Sequence, residues 1–242
     1  MLTGWVLALG LGAVSYKLWN RLHVEHVRAK VLAALGPDPA RTGLVVPDWP
    51  EDARRVVFAG DSRIARWPLP DAPEGVAFAN RGVGGETSAQ LLARFDDLMT
   101  RTTPDVLVLS IGINDLVAAS LDPGLSEQIK SGLERHLNSL ISNTKNSSYN
   151  LIMTTILHPA DPGILRRYTA WSDDIHAEVA AVNRAILALA DPPDVQVLDL
   201  NAVLDVPEGG PLAAEYAADA LHPNARAYAR LSAALLNEVS FR

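Results

Sequence analysis

The run Arg55-Val56-Val57-Phe58-Ala59, followed at once by Gly60-Asp61-Ser62, decides how this chain is read. Short, β-branched and apolar, it has the pattern of a strand buried on both faces of a parallel sheet. Similar runs recur at Val76 to Ala79, Val106 to Ser110, Leu151 to Thr155 and Val195 to Leu198. Helical patterns cover Ser88 to Met99, Ser126 to Ser142, Trp171 to Ala190 and, after the last run, Ala225 to Val239. This alternation predicts an α/β fold, a three-layer α/β/α sandwich around a five-stranded parallel sheet, because parallel neighbours need crossovers packed on the sheet faces.

In such sheets a ligand sits beyond the carboxyl ends of the strands. Read at those positions, the chain offers Gly60-Asp61-Ser62 after the first run, Asn80 to Gly85 after the second, Gly112-Ile113-Asn114-Asp115 after the third and His158 after the fourth. The loop before the final helix holds Asp219-Ala220-Leu221-His222-Pro223. A serine hydroxyl is a weak nucleophile until an imidazole accepts its proton. The imidazole in turn needs a carboxylate to hold its tautomer, and a developing oxyanion needs fixed donors. Those parts are all present. Taken singly, each has a plainer reading: Ser62 or Asp61 as a helix N-cap, Asn114-Asp115 as a turn, His222 as a loop residue.

Taken together and in this order, the blocks resemble those of the SGNH hydrolases, the GDSL esterase and lipase family, over about residues 55 to 225. The resemblance implies a flavodoxin-like fold and ester hydrolysis through an acyl-enzyme. It implies Ser62 as nucleophile and oxyanion donor, Asp219 and His222 as its catalytic partners, and the Gly85 N–H and the Asn114 amide as further oxyanion donors. The register from Asn80 to Glu86-Thr87 favours Gly85 over Gly84 or Gly82. Arg63 stands where the family's common name has leucine. It is expected, with His158, to line the substrate cleft, and Arg63, Arg166 and Arg167 are candidates to meet an anionic substrate. An acyltransferase using the same site and a catalytically silent tethered binding module are the alternatives, and the substrate range implied spans lipids, acetylated sugars and small esters.

No cofactor is expected. Gly-Val-Gly-Gly-Glu-Thr from Gly82 does not fit the dinucleotide fingerprint, no P-loop lysine follows a glycine loop, and His23-Val24-Glu25-His26 lacks the spacing of a zinc-binding helix. The chain has no cysteine, which excludes disulfides, thiolate catalysis and cysteine-ligated metals. A formal net charge of -7 makes nucleic acid a poor partner. Within 242 residues, 48% hydrophobic and 20% charged, most of the chain is expected to fold.

The amino-terminal arm differs in kind. Residues 1 to 45 hold five basic side chains against two acidic ones, so the negative charge resides entirely in the remainder. Leu2 to Tyr16 carries no charge and is bracketed by Trp5 and Trp19. Residues 1–19 are therefore expected to form an uncleaved membrane anchor, with a cleaved signal peptide or a docked helix as alternatives. The basic residues that follow would favour a cytoplasmic domain by the positive-inside rule, with a secreted or periplasmic domain as the alternative. Residues 20–48 are expected as a helical arm and proline-rich linker, broken at Gly36-Pro37-Asp38-Pro39, and residues 49–242 as the hydrolase domain.

Overall fold

The computed structural model describes residues 2–36, 47–145, 147–163, 171–172, 174–190, 194–239 and 241. Five parallel strands form one sheet: β1 Arg54–Gly60, β2 Val76–Gly82, β3 Val106–Ser110, β4 Asn150–Thr154 and β5 Val195–Leu198, in the order β2-β1-β3-β4-β5. The chain winds outward in opposite senses from the pair β1 and β3, which pair from Val56 against Val106 to Gly60 against Ser110. A crevice opens at such a reversal of strand order.

Successive strand residues point to opposite faces, and the core divides accordingly. Val57, Ala59, Leu107, Leu109, Leu151 and Met153 pack with Leu91, Leu98, Leu133 and Leu140 on one face. Val56, Phe58, Val106, Val108 and Ile152 pack with Tyr228, Leu231 and Leu235 on the other. The helices that cover the first face include α3 Ser88–Ala93, α4 Phe95–Thr102, α5 Ile113–Leu121, α6 Ser126–Lys145 and α7 Ile175–Leu187. On the second face lie α8 Leu200–Val203 and α9 Ala225–Glu238. The three-layer expectation holds.

The differences from the sequence reading are local. The helix expected over Ser88 to Met99 is two helices, broken at Arg94, whose backbone sits at φ -102 and ψ 3. Its buried guanidinium turns inward to Glu86 and to the Arg81 carbonyl. The apolar stretch after Asn114, to which the sequence reading assigned no element, forms α5, with Leu116, Val117, Ala118 and Ala119 all buried. Asp61 opens a short helix, α2 Ser62–Ala65.

The amino-terminal helix, α1 Leu2–Leu35, runs unbroken across the boundary expected at residue 19. Among the described residues no helix is long and apolar enough to cross a membrane. Lys17 and Arg21 interrupt α1 before it reaches the roughly 20 apolar residues that a bilayer requires. Its carboxyl-terminal turns instead belong to the fold. Val31 and Ala34 are buried against Ala118 and Ala119 of α5 and Ile129 of α6, and Thr87 donates its hydroxyl to the Ala33 carbonyl at 2.7 Å.

Candidate active site

The site begins where β1 ends. Gly60 adopts φ 145, and a Cβ there would lie 1.9 Å from the Ser110 carbonyl oxygen of β3. Glycine is what lets the two central strands stay close while the chain turns. Asp61 then caps α2 by accepting the Arg63 N–H at 2.8 Å. Fully buried, its carboxyl is pushed up to about 6 by loss of solvation, against the pull of Arg63. Because the aspartate is the cap, the Ser62 hydroxyl is released from that duty.

That hydroxyl lies 2.9 Å from His222 Nε2, although the two residues are 160 positions apart in the chain. On the other side of the ring, His222 Nδ1 is 2.9 Å and 2.8 Å from the two carboxylate oxygens of Asp219. Asp219 Oδ1 also accepts the N–H groups of Leu221 at 2.8 Å and His222 at 3.0 Å, which folds the Asp-Ala-Leu-His segment back on itself. Burial raises the Asp219 carboxyl, but the Leu221 N–H and the His222 ring outweigh it and hold it below the ordinary 3.8. An ionised Asp219 accepts a hydrogen bond from Nδ1–H and holds the proton on that nitrogen, leaving Nε2 as the acceptor that faces serine. Burial also outweighs Asp219 at the imidazole and keeps His222 below the ordinary 6.5, so the ring is neutral at pH 7.

Two further groups face the same space. Gly85 adopts φ 74 with nothing within 4 Å of where a Cβ would stand. Asn114, at the start of α5, donates one amide hydrogen to the Glu86 carbonyl at 2.9 Å; a carboxamide has a second to give. Ser62, Gly84, Gly85, Asn114 and His222 line one open cleft of about 470 Å³ with His26, Lys30, Arg66, Val117 and Leu221. The cleft lies beyond the carboxyl ends of β1 and β3, at the reversal of strand order.

The supporting layer was not anticipated from the sequence. Glu86 and Arg94 form a bidentate pair with side chains 1% and 3% exposed, which fixes the backbone that receives Asn114. Asp115, wholly buried, accepts the Ser88 N–H at 3.0 Å and the Ser88 hydroxyl at 2.6 Å. The Ser88 oxygen lies 2.9 Å from His136 Nδ1. Burial pushes Asp115 up to about 7 despite its bonds to Ser88. These contacts tie the start of α5 to the start of α3, and so hold Asn114 and Gly85 at a set separation. The sequence signal was the acid in Gly85-Glu86-Thr87, with an arginine eight residues on.

Two expectations need correction. Arg63 does not line the cleft. It is 5% exposed and donates to the Leu221 carbonyl at 2.9 Å and the Leu157 carbonyl at 2.6 Å, so it pins the histidine loop from beneath. His158 is buried elsewhere, on a separate cavity of about 340 Å³ with Asn183, Asp199 and Asn201, its ring stacked on His176 with centroids 5.8 Å apart. Burial and the neighbouring His176 push it down to about 4. Arg166 and Arg167 lie outside the described residues. Among the described residues no group of His, Asp and Glu could hold a metal ion.

Comparison with known proteins bears on the family and the fold. The model of the GDSL-like lipase/acylhydrolase family matches residues 57–230. An arylesterase of Vibrio mimicus is 31% identical over 120 residues, 47% of this chain, and the matched stretch is about half of that relative, 55% of its length. Among solved structures, a GDSL-like lipase from Bacteroides thetaiotaomicron superposes with a TM-score of 0.65 at 24% identity, covering 82% of this chain and 93% of that one. An acetylxylan esterase from Geobacillus stearothermophilus gives 0.56 at 20% identity, over 80% of this chain and 98% of that one. Both share its fold.

Proposed function

We propose that this chain, which belongs to the GDSL-like lipase/acylhydrolase family, is a carboxylic ester hydrolase that works through an acyl-enzyme on Ser62. The observation that carries the reading is the unbroken relay from Ser62 Oγ to His222 Nε2 at 2.9 Å and from His222 Nδ1 to Asp219 at 2.8 Å. As Ser62 attacks the ester carbonyl, Nε2 takes its proton, and Asp219 stabilises the imidazolium that forms. Charge gathers on the carbonyl oxygen. The Ser62 and Gly85 N–H groups and the second Asn114 amide hydrogen receive it, in a site where fixed dipoles need not reorganise. Nε2 then returns the proton to the departing alkoxide. In the second half, His222 draws a proton from water as the oxygen attacks the acyl-enzyme, the tetrahedral intermediate expels the Ser62 oxygen, and Nε2 returns the proton to it as the acid leaves.

Paranitrophenyl acetate is the natural test ester, because the relatives described above are an arylesterase and an acetylxylan esterase. Asn114→Ala is expected to lower kcat on it by about 10²- to 10³-fold, the usual cost of one oxyanion donor, with an unchanged circular dichroism spectrum. Unaltered turnover would remove Asn114 from the mechanism.

The exposed side chains of α1 support a place at a lipid surface. Leu18, Trp19 and Leu22 stand in solvent at 58%, 46% and 70% exposure, apolar groups of the kind that sink into the headgroup boundary. The full chain is expected to sediment with phospholipid vesicles, and Leu18→Ser/Leu22→Ser to release it. Equal sedimentation of both proteins contradicts this placement.

A further inference from the structure

Arg63 belongs to two parts of the site at once. Its backbone lies in α2, directly after Ser62: Asp61 accepts its N–H at 2.8 Å, and the Tyr228 hydroxyl donates to its carbonyl at 2.8 Å. Its side chain lies under the histidine loop, where Nε donates to the Leu221 carbonyl at 2.9 Å. Nη1 donates to the Leu157 carbonyl, just beyond β4, at 2.6 Å. One residue thus joins the nucleophile to a loop about 160 positions away in the chain.

The Leu221 carbonyl is one end of a peptide group whose other end is the His222 N–H. That N–H donates to Asp219 Oδ1 at 3.0 Å. A peptide group is planar, so a guanidinium that fixes its oxygen also fixes the direction of its N–H. Arg63 acts in this way on the Asp219 carboxylate, and on the His222 ring through the Cα that the same plane carries. Hydrogen bonds in such a chain polarise one another, so the bond at the carbonyl also strengthens the one at the carboxylate.

This arrangement is costly. Arg63 is 5% exposed, and burial pulls its guanidinium below its ordinary pKa against the opposing effects of Asp61, Tyr228 and Asp219. Its side-chain bonds go to carbonyl oxygens rather than to a carboxylate, and Nη2 is buried with no partner among the described residues. Stability is a weak reason to keep a charge so placed.

We propose that Arg63 is a positioning residue for the acyl-transfer site, setting the separation of Ser62 from His222 and the orientation of His222 toward Asp219. The inference rests on the hydrolase reading. Arg63 is not among the residues that line the cleft, so its removal acts on the chemical step more than on the binding of ester.

The experiment compares the full-length wild type with Arg63→Met, which keeps the stem and loses the donors, and with Arg63→Lys, which keeps the charge and loses the fork. On paranitrophenyl acetate, Arg63→Met is expected to lower kcat/KM by about tenfold to a hundredfold, the scale of loss when catalytic groups are misplaced by about 1 Å, with kcat carrying the larger part. Arg63→Lys should fall between it and the wild type. The second readout is the downfield proton signal of His222 Nδ1–H, assigned by its loss in His222→Gln. It is expected to move or vanish in Arg63→Met while the circular dichroism spectrum is unchanged. A side chain that only stabilised the fold would lower the unfolding temperature and leave that signal in place. Activity of Arg63→Met within about twofold of the wild type, a loss carried by KM alone, or a lowered kcat with the Nδ1 signal unmoved overturns the proposal and leaves the hydrolase reading intact. If Arg63→Met does not fold, Arg63→Lys decides by the same criteria. Absence of wild-type turnover overturns the two together.

Discussion

Ser62→Ala is expected to abolish ester hydrolysis to within the sensitivity of most assays, a loss of roughly 10⁴-fold or more in kcat, while leaving the protein folded. The size follows from the chemistry: without the hydroxyl no acyl-enzyme forms, and what remains is the small rate supplied by substrate binding and the oxyanion donors. The intact fold follows from the structure. The Ser62 oxygen bonds His222 at 2.9 Å, and α2 is capped by Asp61 rather than by the serine. Kinetics on paranitrophenyl acetate beside a thermal unfolding curve make the check. A variant that keeps a tenth of wild-type activity excludes Ser62 as nucleophile.

Asp219→Asn should come next in magnitude, at about 10⁴-fold in kcat, because an amide in place of the carboxylate no longer fixes the proton on Nδ1 and cannot stabilise the imidazolium. It should also move the pH profile in a defined direction. His222 must be neutral to act as a base, so activity falls as pH drops through its pKa. That pKa lies below 6.5 because burial outweighs the raising effect of Asp219. Removing the carboxylate removes the raising effect, and the acid limb of the residual kcat/KM profile shifts to lower pH. A limb that moves upward, or activity near that of the wild type, contradicts the role given to Asp219.

Much of this was legible in the sequence for a physical reason. A strand buried on both faces has nowhere to place a polar residue except at its end, so runs such as Val56 to Ala59 and Val106 to Ser110 announce both the sheet and the positions where chemistry collects. Ser62 and Asn114 stand at those ends. Asp219 and His222 were paired by the resemblance of their block to that of the family, and in the fold the tight loop brings the carboxylate to the ring nitrogen. Arg63 was misplaced because a charged side chain next to a nucleophile reads as facing substrate. In the fold it is 5% exposed and donates to two carbonyls that are 94 and 158 residues away, partners that no local pattern reveals. The same holds for Glu86 with Arg94 and for Asp115 with Ser88, buried polar pairs whose carboxylates are each held by more than one donor.

The arm was the least legible part. Its apolar start and basic flank read as a membrane segment, and the charge pattern of Lys17, Arg21 and Glu25 does not reveal that Val31 and Ala34 turn toward α5 and α6. Small residues drive that docking. Ala34, Ala118 and Ala119 allow close approach of backbones, and alanines carry too little hydrophobic signal to mark an interface in a sequence. The docking brings Lys30 and His26 to the edge of the cleft.

Covalent labelling tests the central claim most directly. The wild-type protein is incubated with a fluorophosphonate and the adduct located by peptide mass spectrometry. The account predicts one phosphonyl group per chain, on the peptide that contains Ser62, and none on Ser62→Ala; a label on any other residue, or one that persists in the variant, would contradict it.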